Sequence, residues 1–396
     1  DRSPSRGLGD VYKRQIQGKL IKCSVTSECY EAYIPNRLPP QPEIDMQSVY
    51  PLLEKANQSI GALNGVISAV PDSAVINYMY VRKEALLSSQ IEGTQSTLDD
   101  LLKYEANQTQ GIPVEDASEV SSYVAALNYG ISKINDGFPL ALRLIREIHA
   151  RLLTNTRGNT KRPGEFRTSQ NWIGGTRPGN ARFVPCPPDK LPDILGELEK
   201  FINTEDAVPS LIKAALIHVQ FETIHPFLDG NGRLGRLLIT LFLCARGLLK
   251  SPFLYLSLFF KKNRSLYYEY LNNVRYQGDW ESWIKFFLEG IIETSNDARE
   301  TIMQIQKLFA LDEEKIEALG KAKTSTKTVF AQFEQKPILT VAEIESKIKL
   351  SRPTIISSVN RLIGLGILIN TSEKKWGQTY AYSGYIDLLK PESSPL

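Results

Sequence analysis

The chain has 396 residues, 42% of them apolar and 23% charged, with a formal net charge of +3, enough for two or three compact units with ordinary cores. No run approaches the roughly 18 uninterrupted apolar residues that a membrane-spanning helix needs. The four cysteines show neither paired metal-ligand spacing nor a disulfide framework. The charge balance gives no argument for nucleic acid, and the expected location is the cytoplasm.

Residues 1–15 have no apolar period and read as non-native or disordered. Residues 16–110 read as an N-terminal helical region. A proline-rich arm reaches Pro42, and helical spacing then runs over about Val49–Val70, Tyr78–Ile91 and Thr97–Tyr104. In the second of these, Ser88 and Glu92 lie four apart on one face, and Gly93 is a natural terminator. Taken alone, that pattern is equally a polar helix end.

Residues 111–312 continue the helical texture over about Ser118–Ile134, Leu140–Leu153, Leu191–Phe201 and Pro209–Ile224, and from Arg264 to Leu319. Between the second and third of these, Ile173-Gly174-Gly175 and Arg182-Phe183 flank a Gly/Pro turn and read as a β-hairpin. Tyr267 and Tyr268 offer aromatic faces for stacking, although a helix packing its aromatics inward explains them nearly as well. Of three histidines, His218 and His149 lie on apolar helical faces and read as structural. With no cysteine near them, a zinc hydrolase is poorly supported.

The densest stretch is His225-Pro226-Phe227-Leu228-Asp229-Gly230-Asn231-Gly232-Arg233-Leu234-Gly235-Arg236. Apolar helices flank it, and Pro226 disfavours αR at His225, so a turn joins two helices. Gly230 and Gly232 permit φ > 0 and close approach of a ligand. Amides at the start of the second helix favour an anion. His225 titrates near neutrality and can take a proton from a hydroxyl. Asp229 suits Mg²⁺ shared with phosphate oxygens. Arg233 and Arg236 share a face, and their forks match phosphate.

From about Lys323 the texture changes again, with eleven Lys/Arg against six Asp/Glu over residues 321–396. Thr328–Phe333 reads as a helix, Thr340 as an N-cap, and Arg352-Pro353 as the start of a helix to Leu365. Ile367–Ile369 and Tyr380–Tyr382 read as strands joined by a turn over Glu373–Gly377. That order resembles a winged helix-turn-helix over residues 321–390. Thr354, Ser357, Ser358, Asn360 and Arg361 are placed to meet DNA, while a protein contact or homodimer explains the unit as well.

The stretch from His225 to Arg236 resembles the signature of the Fic family, His-Pro-Phe-x-Asp/Glu-Gly-Asn-Gly-Arg-x-x-Arg, at every defined position. The resemblance implies a mainly α fold: a Fic-type helical bundle with a β-hairpin flap, followed here by the winged helix. It implies AMP transfer from ATP to a Ser, Thr or Tyr hydroxyl of a target protein or of the chain itself. His225 is then the base and Asp229 the Mg²⁺ ligand. Gly230, Asn231 and Gly232 form an anion hole, Arg233 and Arg236 bind phosphate, and Leu234 and Gly235 complete the ATP site. Ser88-x-x-x-Glu92-Gly93 resembles the family's inhibitory motif, in which the glutamate pairs with the second arginine. Ile173–Gly175 with Arg182-Phe183 looks like the flap that docks the target by strand addition, and Tyr267-Tyr268 like a pair beside adenine. Two other readings of the same residues stay open. One is a DNA-binding regulator whose core senses nucleotide or modifies itself; the other is removal of AMP with Glu92 orienting water.

Overall fold

The computed structural model describes residues 17–25, 28–70, 73–106, 112–154, 156–371 and 378–390. The expectation for residues 1–15 and the whole Glu373–Gly377 turn lie outside these.

The chain opens with an antiparallel pair, β1 (Gly18–Val25) and β2 (Glu28–Pro35), in which Lys19 faces Ile34 and Cys23 faces Tyr30. This corrects the wholly helical reading of residues 16–110. The alternation of exposed Cys29 and Glu31 with buried Tyr30 and Ala32 is a period-two signal that the proline-rich arm beside it obscured. Then come α1 (Met46–Ala69), α2 (Ser73–Ile91), α3 (Leu98–Glu105), α4 (Val114–Asn135) and α5 (Leu142–Leu152). After an irregular segment follow α6 (Leu191–Asn203), α7 (Ser210–Ile224), α8 (Asn231–Ala245), α9 (Leu256–Lys262), α10 (Arg264–Gln277) and α11 (Trp280–Glu317).

Local chemistry explains several of these limits. Asp45 caps α1 through the Gln47 amide, and Thr97 with Asp100 forms a capping box on α3. Along α1 the buried residues Val49, Leu53, Ala56, Ile60, Leu63 and Ile67 form a helical stripe, which lies against α11. By contrast α7 is buried all round, from Leu211 to Ile224, as befits the central helix of a bundle. It pairs with α8, and Trp283 of α11 donates from Nε1 to the Ala215 carbonyl at 3.0 Å. The motif turn therefore sits at one end of the most deeply packed helix pair.

The C-terminal unit consists of α12 (Lys323–Gln335), β3 (Ile338–Thr340), α13 (Val341–Lys347), α14 (Arg352–Gly364), β4 (Ile369–Asn370), β5 (Thr379–Ala381) and α15 (Ser383–Leu389). Its strands form one antiparallel sheet in the order β3-β5-β4. Thr340 caps α13 in a box with Glu343, and Pro353 stands in the first turn of α14. β3 and α15 were not legible beforehand. Of the residues expected to face a groove, Ser358 is fully buried, because Ser358 shares the inner face of α14 with Ile355, Val359 and Leu362. The unit is built onto the end of α11: Phe309 packs with Phe330, Tyr382 and Tyr385, and Tyr382 donates to Asp312 at 2.6 Å. The expected boundary at residue 312 thus falls inside a continuous helix.

Candidate functional site

His225 ends α7 in the left-handed region, at φ 49° and ψ 61°; Pro226 disfavours continuation of the right-handed helix there. Three groups hold the turn that follows. Arg167, buried, donates from Nε to the His225 carbonyl at 3.0 Å and from Nη2 to the Cys186 carbonyl at 2.5 Å. Asn171 donates to the His225 and Phe227 carbonyls at 3.1 and 3.0 Å. His149 stacks on Phe227 at 3.7 Å. Its Nδ1 accepts from the Gly164 amide, which leaves Nε2 to donate to the Asp229 carbonyl at 3.0 Å. Burial depresses the His149 pKa to about 4, so it acts as a neutral strut.

Gly230 then takes φ 76° and precedes α8. The expectation of φ > 0 holds for Gly230 and not for Gly232, which is helical. Gly232 matters through its missing side chain, since a Cβ there would collide with the Glu92 carboxylate. Asn231 differs too: its side chain closes the turn, accepting from the Phe227 amide at 2.9 Å and donating to the Phe227 carbonyl at 2.8 Å. Only its main chain, in the first turn of α8 with those of Gly232 and Arg233, remains to face an anion.

These residues line a cleft of about 480 Å³ that also takes in Glu92, Gly93, Ile173, Gly174, Tyr267 and Tyr268. His225 and Asp229 both face it, the Asp229 side chain 42% exposed. Asp229 Oδ1 accepts from the Gly230 amide at 2.6 Å. Leu234 is buried away from the cleft and packs in the core. Arg236 donates from Nε to the Ser88 hydroxyl and from Nη2 to the Ser88 carbonyl, each at 2.9 Å, and from Nη2 to Glu92 Oε1 at 2.7 Å. Burial alone would raise the Glu92 pKa; Arg236, with help from Arg233 and His225, outweighs it and holds the carboxyl below its ordinary range. Arg233 is likewise engaged, by Glu119 of α4. Its Nε has no hydrogen-bond partner.

The two tyrosines separate. Tyr267 is buried, and its hydroxyl meets His218 Nε2 at 2.8 Å while His218 Nδ1 meets the Gly235 carbonyl at 3.1 Å. Tyr268 is 39% exposed. The flap is reduced to a single antiparallel pair, Ile173 with Phe183, in which the Ile173 amide donates to the Phe183 carbonyl at 2.8 Å. Gly174 and Gly175 take φ 69° and 73°, and the Arg182 side chain lies over Gly174. Its outer side is covered: the Tyr33 amide of β2 donates to the Val184 carbonyl at 2.9 Å. Phe183 is buried against Tyr33 and Arg275.

Sequence spacing did not point to Glu119, Arg167, Asn171 or Glu222 at this site. Glu222 alone left a signal, a charge among the buried residues that end α7; the others arrive from distant segments. Among the described residues no group of three or more His, Cys, Asp or Glu is placed to hold a metal. A single exposed carboxylate still fits Mg²⁺, which commonly takes one or two protein carboxylates and completes its shell with phosphate oxygens and water.

Comparison with known proteins agrees with this geometry. Residues 50–132 match the Fic/DOC family N-terminal region and residues 139–243 match the Fic/DOC family itself. The chain is 31% identical over 182 residues to the protein adenylyltransferase Fic of Aedes aegypti, covering 45% of this chain and 33% of that protein. It is 26% identical over 250 residues to that of Drosophila ananassae, covering 61% and 47%. It therefore spans less than half the length of these curated relatives. A Fic family protein from Desulfovibrio desulfuricans G20 shares the fold over 87% of this chain and 98% of its own, with TM-score 0.56 at 20% identity. Fic-1 from C. elegans does so over 66% and 75%, with TM-score 0.52 at 21% identity. Residues 50–132 and 139–243 thus carry the two Fic/DOC family regions, adjacent and in order along one helical bundle.

Proposed function

We propose that the chain is a protein adenylyltransferase, moving AMP from ATP to a Ser, Thr or Tyr hydroxyl of a protein, and that Glu92 holds it at rest. The observation that carries this reading is the convergence of His225, Asp229, the amides opening α8 and two arginines on one cleft. The α8 amides and the arginine forks bind the phosphates. His225 Nε2 takes the proton as the target oxygen bonds to the α-phosphorus; the bond to the bridging oxygen breaks and pyrophosphate leaves. Asp229 would hold Mg²⁺ jointly with phosphate oxygens, and the ion would supply charge neutralisation on the leaving group. Tyr268 offers its face to adenine, with Tyr267 behind it, and Ile173–Gly175 offers main chain to a target segment.

In the resting state both arginine forks are occupied by carboxylates, Arg236 by Glu92 and Arg233 by Glu119. ATP phosphates must therefore compete with carboxylates already in place. The C-terminal unit, with its helix–strand–helix–helix–strand–strand order, supports a winged-helix reading as a docking module for DNA, a target protein or a second copy. Salt-dependent retention on duplex DNA tests the first of these.

The test of the activity is mass spectrometry of lysate incubated with Mg²⁺, isotope-labelled ATP and the Glu92→Gly protein, with His225→Ala added as control. Labelled AMP on Ser, Thr or Tyr that disappears with His225→Ala supports the reading. Transfer that survives the loss of His225 at an unchanged rate removes it.

A further inference from the structure

Two features of the α7–α8 pair are unfavourable in isolation and occur at the same place. Glu222 is a buried carboxylate on α7, and its Oε1 has no hydrogen-bond partner; burial without a partner is costly. Gly235 stands inside buried α8, where glycine costs about 1 kcal/mol relative to alanine. A Cβ at 235 would collide with Glu222 Oε1 and come within 3.2 Å of the Phe221 ring. Glycine at 235 thus keeps open the slot in which the Glu222 carboxylate lies.

What that carboxylate faces is the His225 ring. Glu222 Oε2 lies 4.0 Å from His225 Nδ1, too far for a hydrogen bond, and Nδ1 has no hydrogen-bond partner. A movement of about 1 Å brings carboxylate and ring into contact, and catalytic hydrogen bonds are often long until substrate is bound. We propose that Glu222 is the positioning residue of His225. It keeps the proton on Nδ1, so that Nε2 is the free base, and stabilises the imidazolium formed when Nε2 takes the hydroxyl proton. The inference rests on the reading of His225 as base.

The charges around the pair come from every neighbouring element. Arg236 of α8 and Glu92 at the end of α2 face Glu222, Arg275 of α10 faces both members, and Arg167 faces His225. Burial pushes the Glu222 carboxyl up to about 7, Arg236 opposing. Burial, then Arg275 and Arg167, push the imidazole down to about 4. The two groups share one site and take up protons as a pair. Above neutrality the pair is carboxylate plus neutral imidazole, the form in which Glu222 can orient the base.

The experiment reads the ring directly. In the full chain labelled with ¹⁵N-histidine there are three imidazoles; His149, bonded to Asp229 and Gly164, serves as the internal reference, whereas His218 meets the Gly235 carbonyl and does not. Wild type, Glu222→Gln and Gly235→Ala are followed by two-bond ¹H–¹⁵N spectra from about pH 8 to about pH 5. The wild-type His225 nitrogens should show the Nδ1–H tautomer and a proton taken up by the pair near neutrality. Glu222→Gln should show no such step. Gly235→Ala, whose methyl displaces the carboxylate, should shift or weaken it. If Glu222→Gln disturbs the reference signals, Gly235→Ala decides by the same criterion. Identical His225 tautomer and titration in the variants and wild type would overturn the proposal. The readout needs no turnover, so it stands apart from the transferase reading. If transfer is observed, Glu222→Gln should lower kcat ten- to a hundredfold with the KM for ATP unchanged.

Discussion

Arg236 and Glu92, 144 residues apart in the chain, meet at 2.7 Å, and Ser88 fills the rest of the same fork through its hydroxyl and its carbonyl. The guanidinium is 2% exposed and the carboxylate 38%. Solvent therefore screens one side of the pair, and its strength lies between that of a surface and a buried ion pair. Glu92→Gly should free the fork and raise self-modification about ten- to a hundredfold, since each 1.4 kcal/mol is roughly a factor of ten. Ser88→Ala removes one hydrogen bond, worth about 1 kcal/mol, and should activate less. Transfer of labelled AMP to the chain itself measures both. In Glu92→Gly with Arg236→Ala the gain should vanish; activation that persists would mean that Glu92 acts by some route other than the fork.

Asp229 is a half-exposed carboxylate of the cleft, braced by the Gly230 amide. Asp229→Ala should abolish Mg²⁺-dependent transfer while leaving the melting temperature within a few degrees, because the turn is held by Asn171, Asn231 and the His149 bond to the Asp229 main chain. Titration of activity against Mg²⁺ checks this. An unchanged metal dependence would place the ligand elsewhere.

Arg167 acts on the other side of the turn. Its guanidinium satisfies the carbonyls of His225 and Cys186 in a buried setting. Arg167→Ala strands the Cys186 carbonyl and leaves the His225 carbonyl to Asn171 alone, and should cost about 2–4 kcal/mol of stability. Arg167→Lys, a point charge without the fork, should recover only part of that. Urea unfolding measures the loss; a cost below about 1 kcal/mol for the alanine variant would show that the turn is held without it.

Glu84, on α2 one turn before Ser88, is buried and accepts from the Ser257 hydroxyl and amide and from Tyr123. Burial, opposed by the Ser257 bonds, raises its carboxyl from 4.5 to about 7. A group raised in the folded state binds its proton more tightly there. Its stabilising contribution is full below about 4.5 and is lost as pH rises through about 7. Glu84→Gln removes that dependence. Relative to wild type, the variant should gain on the order of 1–3 kcal/mol between about pH 5 and about pH 8. Other titrating groups are common to both proteins and cancel. Equal stability differences at the two pH values would show that the carboxylate is ionised and satisfied throughout.

Much of the site was legible in the chain because its parts are adjacent. Pro226 forces the turn, Gly230 admits the left-handed residue before α8, and the three-residue spacing of Arg233 and Arg236 puts both forks on one helical face. The four-residue spacing of Ser88 and Glu92 likewise presents them together. These are consequences of backbone sterics and helical period, which act within a few residues.

Tertiary structure decided what those groups meet. Nothing local joins Glu92 to Arg236, Glu119 to Arg233, or Arg167 to the His225 carbonyl, because each pairing closes a long loop and depends on how whole helices pack. It also decided that the Asn231 side chain holds the turn, that Tyr267 is spent on His218, and that β2 covers one side of the flap. A carboxylate or a guanidinium looks the same in sequence whether solvated or buried. Only packing removes its water, and with the water gone it must find a partner or be held in a slot such as the one Gly235 leaves for Glu222.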